Sequence, residues 1–290
     1  MTPRSGEYYI AERERIEPAF PIARQMTVLC VLPARLGSER IPRKPLQIIA
    51  GRPLVEWSWT AACAVPGIDE VVVATDSEEI AATVGEFGGI PVLTRADHPS
   101  GTDRVAEAAA ARQADIVVNF QADEPFLEPE AVRKAIDAVA AGPREVATLA
   151  VPIAGEAEWR STSVVKVARA ADGRALYFSR APIPHSRDAA PDWTARPATG
   201  AGETAGPWLR HVGLYVYRYR ALARWVALPP SELEGIERLE QLRALEDGLD
   251  IEVCVVPASH PGIDVPEDIA RADRLLRGHD HAQRKRETHV

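Results

Sequence analysis

The chain has 290 residues, 46% of them hydrophobic and 26% charged, enough to bury one large core or two modest ones. Its 34 Lys and Arg against 42 Asp and Glu leave a formal net charge of −8, so no global field favours nucleic acid or an anionic membrane. With only 6% aromatic residues there is no stacking platform for single strands, and the composition excludes collagen-like, coiled-coil and globally disordered chains.

Residues 1–25 mix charges with Pro18 and Pro21 and read as an extension, with a short helix near Ile10–Ile16. They lack the apolar core of a signal peptide. From Thr27 the pattern is regular. Thr27–Pro33 is a short apolar run and reads as a buried strand. Pro53–Val65 has helical spacing, with Leu54, Trp57 and Ala61 on one face. Further strands are predicted at Glu70–Thr75, Ile90–Thr94, Asp115–Phe120 and Glu145–Pro152. Helices are predicted between them: from Ser77 to Phe87, Thr102–Arg112 and Pro129–Ala141, the last with Pro at its start. Strands alternating with such helices imply βαβ crossovers and a mainly parallel sheet. Ligands of such sheets bind at the carboxyl ends of the strands, which singles out loops 33–46, 94–104 and 121–128.

After residue 152 the rhythm changes. Val164–Ala168 and Ala175–Phe178 flank an Asp172-Gly173 hairpin signal, and Leu209–Tyr217 is a further β-rich run. Residues 186–207 read as a mobile loop. Leu233–Asp247 reads as one helix, Ile251–Val256 as a strand and Pro266–Arg277 as a last helix, followed by a polar tail from 278 to 290. Cys30, Cys63 and Cys254 lie far apart in apolar stretches without a C-x-x-C pair, and are expected to be buried reduced thiols. No apolar run reaches the roughly 18 residues a membrane span needs, so a soluble cytoplasmic protein is expected.

Loop 33–46 carries four cations, Arg35, Arg40, Arg43 and Lys44, with Gly37 and Ser38 to turn the backbone and offer N–H groups. A triphosphate fits such a loop at the end of a parallel strand; a solvated basic loop is the plain alternative. The Walker A pattern is absent. Asp123 and Glu124 follow the fourth strand, where two carboxylates suit Mg²⁺, although an ordinary polar turn has the same composition. Asp264 stands before Pro266 and the last helix; it is either a second metal ligand or part of a helix start signal.

Nine segments in order then carry a resemblance: PARLGSERIPRKPL (33–46), VVVATDSEEIA (71–81), TRADHPSGTDR (94–104), NFQADEP (119–125), TLAVPI (148–153), ALYFSRAPIP (175–184), RHVGLYVYR (210–218), IERLEQLRALEDG (236–248) and GIDVPEDIARA (262–272). Over roughly residues 27–277 the chain resembles the 3-deoxy-manno-octulosonate cytidylyltransferases, which make CMP-Kdo. The resemblance implies a three-layer, mainly parallel α/β nucleotidyltransferase (Rossmann-like) fold. Residues 27–151 and 231–277 would form the nucleotide part, and 152–230 a smaller α/β lobe for sugar binding and dimerisation.

It also implies roles. Arg35 and Lys44 would bind the CTP phosphates, with Arg40 facing the phosphates or the sugar acid, and Pro33, Ala34, Arg95, Ser100 and Gly101 would line the nucleotide site. Asp123 and Asp264 would hold Mg²⁺. Gln121, Arg104, Arg180, His211, Tyr215, Glu240 and Gln241 would surround the sugar acid, with Arg180 or Arg104 pairing its carboxylate. The plain alternatives are a structural His211 and a solvated Glu240 and Gln241. The partners implied are CTP, a Kdo-like acid and a second copy of the chain, with no nucleic acid and no membrane; lipopolysaccharide synthesis would be the setting. Two positions depart from the family pattern, where Arg43 and Ala122 stand in place of glycine. These departures, loop 186–207 and the extension put the identity of the sugar acid in question. The rival readings are the same reaction on another acid (8-amino-Kdo, another 2-keto-3-deoxy sugar acid or a phosphonate) and a non-catalytic CTP-binding relative.

Overall fold

Strand β1 (Val28–Ala34) sends Cys30 and Leu32 into one apolar layer and Leu29 and Val31 into the other, and all four are buried. A strand apolar on both faces needs cover on both. The computed structural model of the chain describes residues 26–37, 40–188, 191, 193, 206–257 and 260–287, with side chains as far as residue 278. The expected helix near Ile10–Ile16 and most of loop 186–207 lie outside the described residues.

The expected three-layer α/β architecture forms around β1. β4 (Glu70–Thr75), β5 (Ile90–Leu93) and β6 (Ile116–Asn119) run parallel with it, in the order β6-β1-β4-β5. On the other side come β7 (Val146–Pro152) and β11 (Ile251–Val255), parallel to each other. Between β6 and β7 runs β10 (Leu209–Arg218), antiparallel to both. Helices α1 (Leu54–Cys63), α2 (Glu78–Glu86) and α4 (Pro129–Ala141) cover one face of this sheet. The other face is covered by α3 (Gly101–Ala110), α6 (Tyr219–Ala227) and α8 (Gln241–Glu246).

The stretch 152–230, expected as a smaller lobe, shares this sheet. β8 (Lys166–Arg169) pairs with β10 and with β9 (Ala175–Ser179), so the hairpin hangs on a central strand. The reason lies in β10 itself. It buries Val212, Leu214 and Val216 on one face and Tyr215 and Tyr217 on the other, and only an interior position covers both. The short α5 (Glu156–Arg160) and α6 are not foreseen from the sequence. Within the expected loop 186–207, Trp193 packs between Trp159 and Trp208, with ring centroids 6.1 and 5.7 Å away.

Three other expectations change. The single helix at 233–247 is two, α7 (Glu232–Glu237) and α8, because Arg238 turns left-handed at φ 54°. The last helix, α9 (Pro266–Glu287), continues through most of the residues expected as a polar tail, as far as Glu287, since helix formers follow Gly278 without a proline. Cys63, at the end of α1, is exposed, whereas Cys30 and Cys254 are buried as expected.

A small hairpin, β2 (Ile48–Ile49) and β3 (Arg52–Pro53), turns through Ala50 and Gly51, both at positive φ. The Ala50 N–H donates to Asp273 of α9 at 2.8 Å. Ile41, Ile49, Leu54 and Trp57 then share a third apolar cluster with Ile263, Ala272 and Leu276. That cluster binds the loop after β1 to the β11–α9 junction.

Candidate active site

The carboxyl ends of β1 and β6, the start of α3 and the β11–α9 junction enclose a cavity of about 410 Å³. All three loops singled out by the sheet rule contribute to it. Of the expected site residues, Pro33, Ala34, Arg35, Arg40, Lys44, Ser100, Gly101, Arg104, Gln121, Asp123 and Asp264 line its wall. Arg95, Arg180, His211, Tyr215, Glu240 and Gln241 are not part of that wall.

At one end the two acids meet. Lys44 Nζ lies 2.5 Å from an Asp123 carboxylate oxygen and 3.5 Å from one of Asp264. Arg40 reaches the other Asp264 oxygen at 2.5 Å. Backbone contacts create this meeting. The Ile263 N–H donates to the Asp123 carbonyl at 2.9 Å, and a Cβ on Gly262 would stand 2.9 Å from that same carbonyl oxygen and from Glu124 Oε1. Only glycine lets the two loops come this close. Asp268, in the first turn of α9, accepts from the Asp264 and Val265 N–H groups and fixes the junction. Burial and then the neighbouring Asp123 charge push the Glu124 carboxyl up to about 8, against the opposing pull of Arg210 and Lys44.

Of the four loop cations, Arg35, Arg40 and Lys44 line the cavity, while Arg43 pairs with Glu79 of α2. Arg43 holds φ 53° just before Lys44, a left-handed conformation that costs a residue with a Cβ roughly 1–2 kcal/mol. Ala122, the other departure from the family pattern, is not among the positive-φ residues. Its carbonyl accepts from the buried Ser58 hydroxyl at 2.8 Å.

The lip of the cavity is the start of α3. Ser100 caps the helix by accepting from the Asp103 N–H. Arg104 is buried; it donates to Thr94 Oγ1 at 2.5 Å and lies 3.4 Å from Asp76. His98, a wall residue that sequence reasoning did not single out, bonds to Glu107. Glu107 also accepts from the Arg95 N–H at 3.3 Å. Burial raises the Glu107 pKa, but the bonds from His98 and Arg95 outweigh it and the net shift is downward. The Arg95 side chain is exposed, near Asp97 and Glu107.

The expected sugar-acid residues behave differently. Arg180 donates through Nε to the Glu237 carbonyl at 2.9 Å and through Nη1 to the Thr162 carbonyl at 3.2 Å. His211 bonds to Thr148 Oγ1 at 2.9 Å and packs edge-on against Phe178. Burial, helped by Arg210, pushes its pKa down to about 3, so the ring is neutral at pH 7. Tyr215 is buried against His211, Tyr217 and Trp225, and burial raises its pKa. Glu240 accepts from Ser100, Thr102 and Trp225, each at 3.2 Å, and Gln241 is buried beside it. The plain alternative of a solvated Glu240 and Gln241 therefore does not describe this structure.

Asp123 and Asp264 present carboxylate oxygens to one point at the cavity edge, a donor set suited to a hard divalent cation. No group of three or more His, Cys, Asp or Glu residues able to hold a metal exists among the described residues. Two carboxylates with the rest of the sphere left to phosphate oxygens and water is the usual way of holding Mg²⁺. His98 and Gly262 lie inside two of the resembling segments, 94–104 and 262–272, but neither stands out by itself, because neither belongs to a local pattern of charge or spacing.

A cytidylyltransferase family model matches residues 29–251. Proteins called 3-deoxy-manno-octulosonate cytidylyltransferase are similar over most of their length. The one from Gemmatimonas aurantiaca is 46% identical, covering 86% of this chain and 93% of its own. That of Anaeromyxobacter dehalogenans is 47% identical, covering 86% and 97%. The chain belongs to the 3-deoxy-manno-octulosonate cytidylyltransferase family. A solved member of it, described as CMP:2-keto-3-deoxy-manno-octonic acid synthetase complexed with CTP, superposes with a TM-score of 0.78 at 38% identity, covering 86% of this chain and 98% of that one. A more distant neighbour, 4-diphosphocytidyl-2C-methyl-D-erythritol synthase from Anaerococcus prevotii, has a TM-score of 0.53 at 16% identity, covers 87% and 96%, and shares the fold alone.

Proposed function

We propose that the chain transfers CMP from CTP to 3-deoxy-manno-octulosonate, giving CMP-Kdo and pyrophosphate. The observation that carries this reading is the meeting of Asp123 and Asp264 on Lys44, at the end of a cavity also lined by Arg35 and Arg40. The sugar's anomeric 2-hydroxyl attacks the α-phosphorus of CTP. A new O–P bond forms, the bond to the β-phosphate breaks in line with its electron pair leaving on pyrophosphate, and the hydroxyl proton passes to solvent. Arg35, Arg40 and Lys44 hold the phosphates and take up the charge that grows on the leaving pyrophosphate. Asp123 and Asp264 would hold Mg²⁺, which when bound supplies charge neutralisation at the phosphates. Ser100 and Gly101, at the lip, face the cytosine, where hydrogen bonds to the base edge reject a mismatched nucleotide. The chemistry needs positioning and charge, with no covalent intermediate.

Pyrophosphate release with CTP, Mg²⁺ and a panel of sugar acids tests the reading. Turnover with Kdo supports it. Turnover only with an 8-amino acid, another 2-keto-3-deoxy acid or a phosphonate overturns the choice of acid, and saturable CTP binding without transfer to any acid overturns catalysis. A cytoplasmic homodimer supplying lipopolysaccharide synthesis belongs to the same reading, and light scattering reads the dimer directly. Among the described residues no helix is long and apolar enough to cross a membrane.

A further inference from the structure

Glu240 belongs by resemblance to the sugar-acid set, yet its carboxylate is committed elsewhere. Oε2 accepts from Thr102 Oγ1 at 3.2 Å, and Oε1 accepts from Trp225 Nε1 at 3.2 Å. Ser100 Oγ lies 3.2 Å from Oε1 and shares its single proton between Glu240 and Asp103, which is 2.6 Å away. Ser100, Gly101 and Thr102 are the N-cap and first residues of α3, and Ser100 and Gly101 line the cavity. Glu240 itself lies outside the wall.

The local chain explains how the carboxylate gets there. Arg238, left-handed, ends α7 and turns the chain so that Glu240 stands as the N-cap of α8. Leu239 and Leu242, on either side, are buried in the layer that also holds Val105 of α3 and Trp225 of α6. Arg243, a cation whose charge acts on Glu240, is bonded to Glu234 through Nε at 2.7 Å, and Glu240 receives its hydrogen bonds from neutral donors. A carboxylate beside the first turn of a helix also gains from the helix dipole.

We propose that Glu240 is a positioning residue for the nucleotide: it pins the first turn of α3 to α6 and α8, so that the lip is set before the sugar acid arrives. This rests on the CTP-binding reading above. A pure sugar ligand would leave CTP binding alone untouched.

Calorimetry of CTP binding with Mg²⁺ and no sugar acid decides between them. For Glu240→Ala the CTP affinity is expected to fall roughly three- to tenfold, the scale of one or two hydrogen bonds. KM for CTP rises by a similar factor, while kcat at saturating CTP moves less. Thr102→Val removes one donor without touching the cavity wall and guards against misfolding of the first variant. It should weaken CTP in the same direction, and the double variant should lose less than the product of the two. CTP affinity unchanged in both single variants overturns the proposal, with a raised sugar-acid KM in Glu240→Ala returning Glu240 to the sugar alone. Failure of the unaltered chain to bind CTP overturns the functional reading first, and the proposal with it.

Discussion

The residues expected for the nucleotide and those expected for the sugar acid form two regions built on opposite principles. The end formed by Arg40, Lys44, Asp123 and Asp264 is open, charged and held together by ion pairs that a ligand can exchange. The region of Arg180, His211 and Tyr215 is packed, and Arg180 and His211 already bond to Glu237, Thr162 and Thr148 inside the protein. The Arg40–Asp264 pair is exposed, and such pairs contribute little to stability and cost little to rearrange, whereas Lys44 is mostly buried beside Asp123; the first end thus joins an exchangeable pair to a held cation and is suited to binding charge. Buried, satisfied polar groups are costly to disturb, so the second keeps its shape. Substitutions should therefore strike activity at the first end and stability at the second.

The largest effect is expected from Asp123→Asn. It removes one of two carboxylates at the cavity edge, and pyrophosphate release should fall on the order of 10³-fold with little change in thermal midpoint. A midpoint that collapses with activity would erase the contrast, because the acid would then be holding the fold. Gly262→Ala leaves every charge in place and only pushes the Asp264 loop away from the Asp123 carbonyl. A shift on the ångström scale should cost roughly 10²-fold in turnover. Full activity in this variant would mean that the close approach of the loops is not needed.

At the packed end, pH is the probe. The unfolded chain takes up a proton on His211 near 6.5, while the folded chain resists until about 3. Between those values the unfolded state binds more protons, so stability contributed by the neutral ring is complete above 6.5 and is lost as pH falls toward 3. The slope from this group is at most roughly 1.4 kcal/mol per pH unit. Denaturation curves of His211→Asn against pH should be flatter than those of the unaltered chain over this window, and parallel curves would count against a buried neutral imidazole. The smallest effect is expected from Arg43→Gly. It relieves a left-handed non-glycine residue but removes the exposed pair with Glu79, and the net should be a gain of up to roughly 1 kcal/mol by chemical denaturation. A loss would show that the Arg43–Glu79 pair matters more than its exposure suggests.

Much of this could be read from the chain, and unevenly. Thr27–Pro33 announced a buried strand, because apolar runs are local and their period survives in any fold. Loop 33–46 stood out as a cationic turn, because its cations and glycine sit within a few residues of each other, and three of those cations line the cavity. Leu209–Tyr217 was legible as a strand, but its place inside the main sheet was not, since β-rich patterning does not tell which neighbours a strand will have. The roles suggested for Glu240 and Arg180 came without any indication of the Thr102, Trp225 and Glu237 contacts that occupy them.

What the sequence determined by itself, then, is most of the succession of strands and helices, the cationic turn, the acids and the family. Each depends on residues close along the chain or on motifs in a fixed order. The tertiary structure alone decided that β10 divides β6 from β7, that Gly262 lets two remote loops touch, and that Lys44 stands between Asp123 and Asp264. Those outcomes come from packing and hydrogen bonds between segments far apart in the chain, where no local spacing records which surfaces will meet.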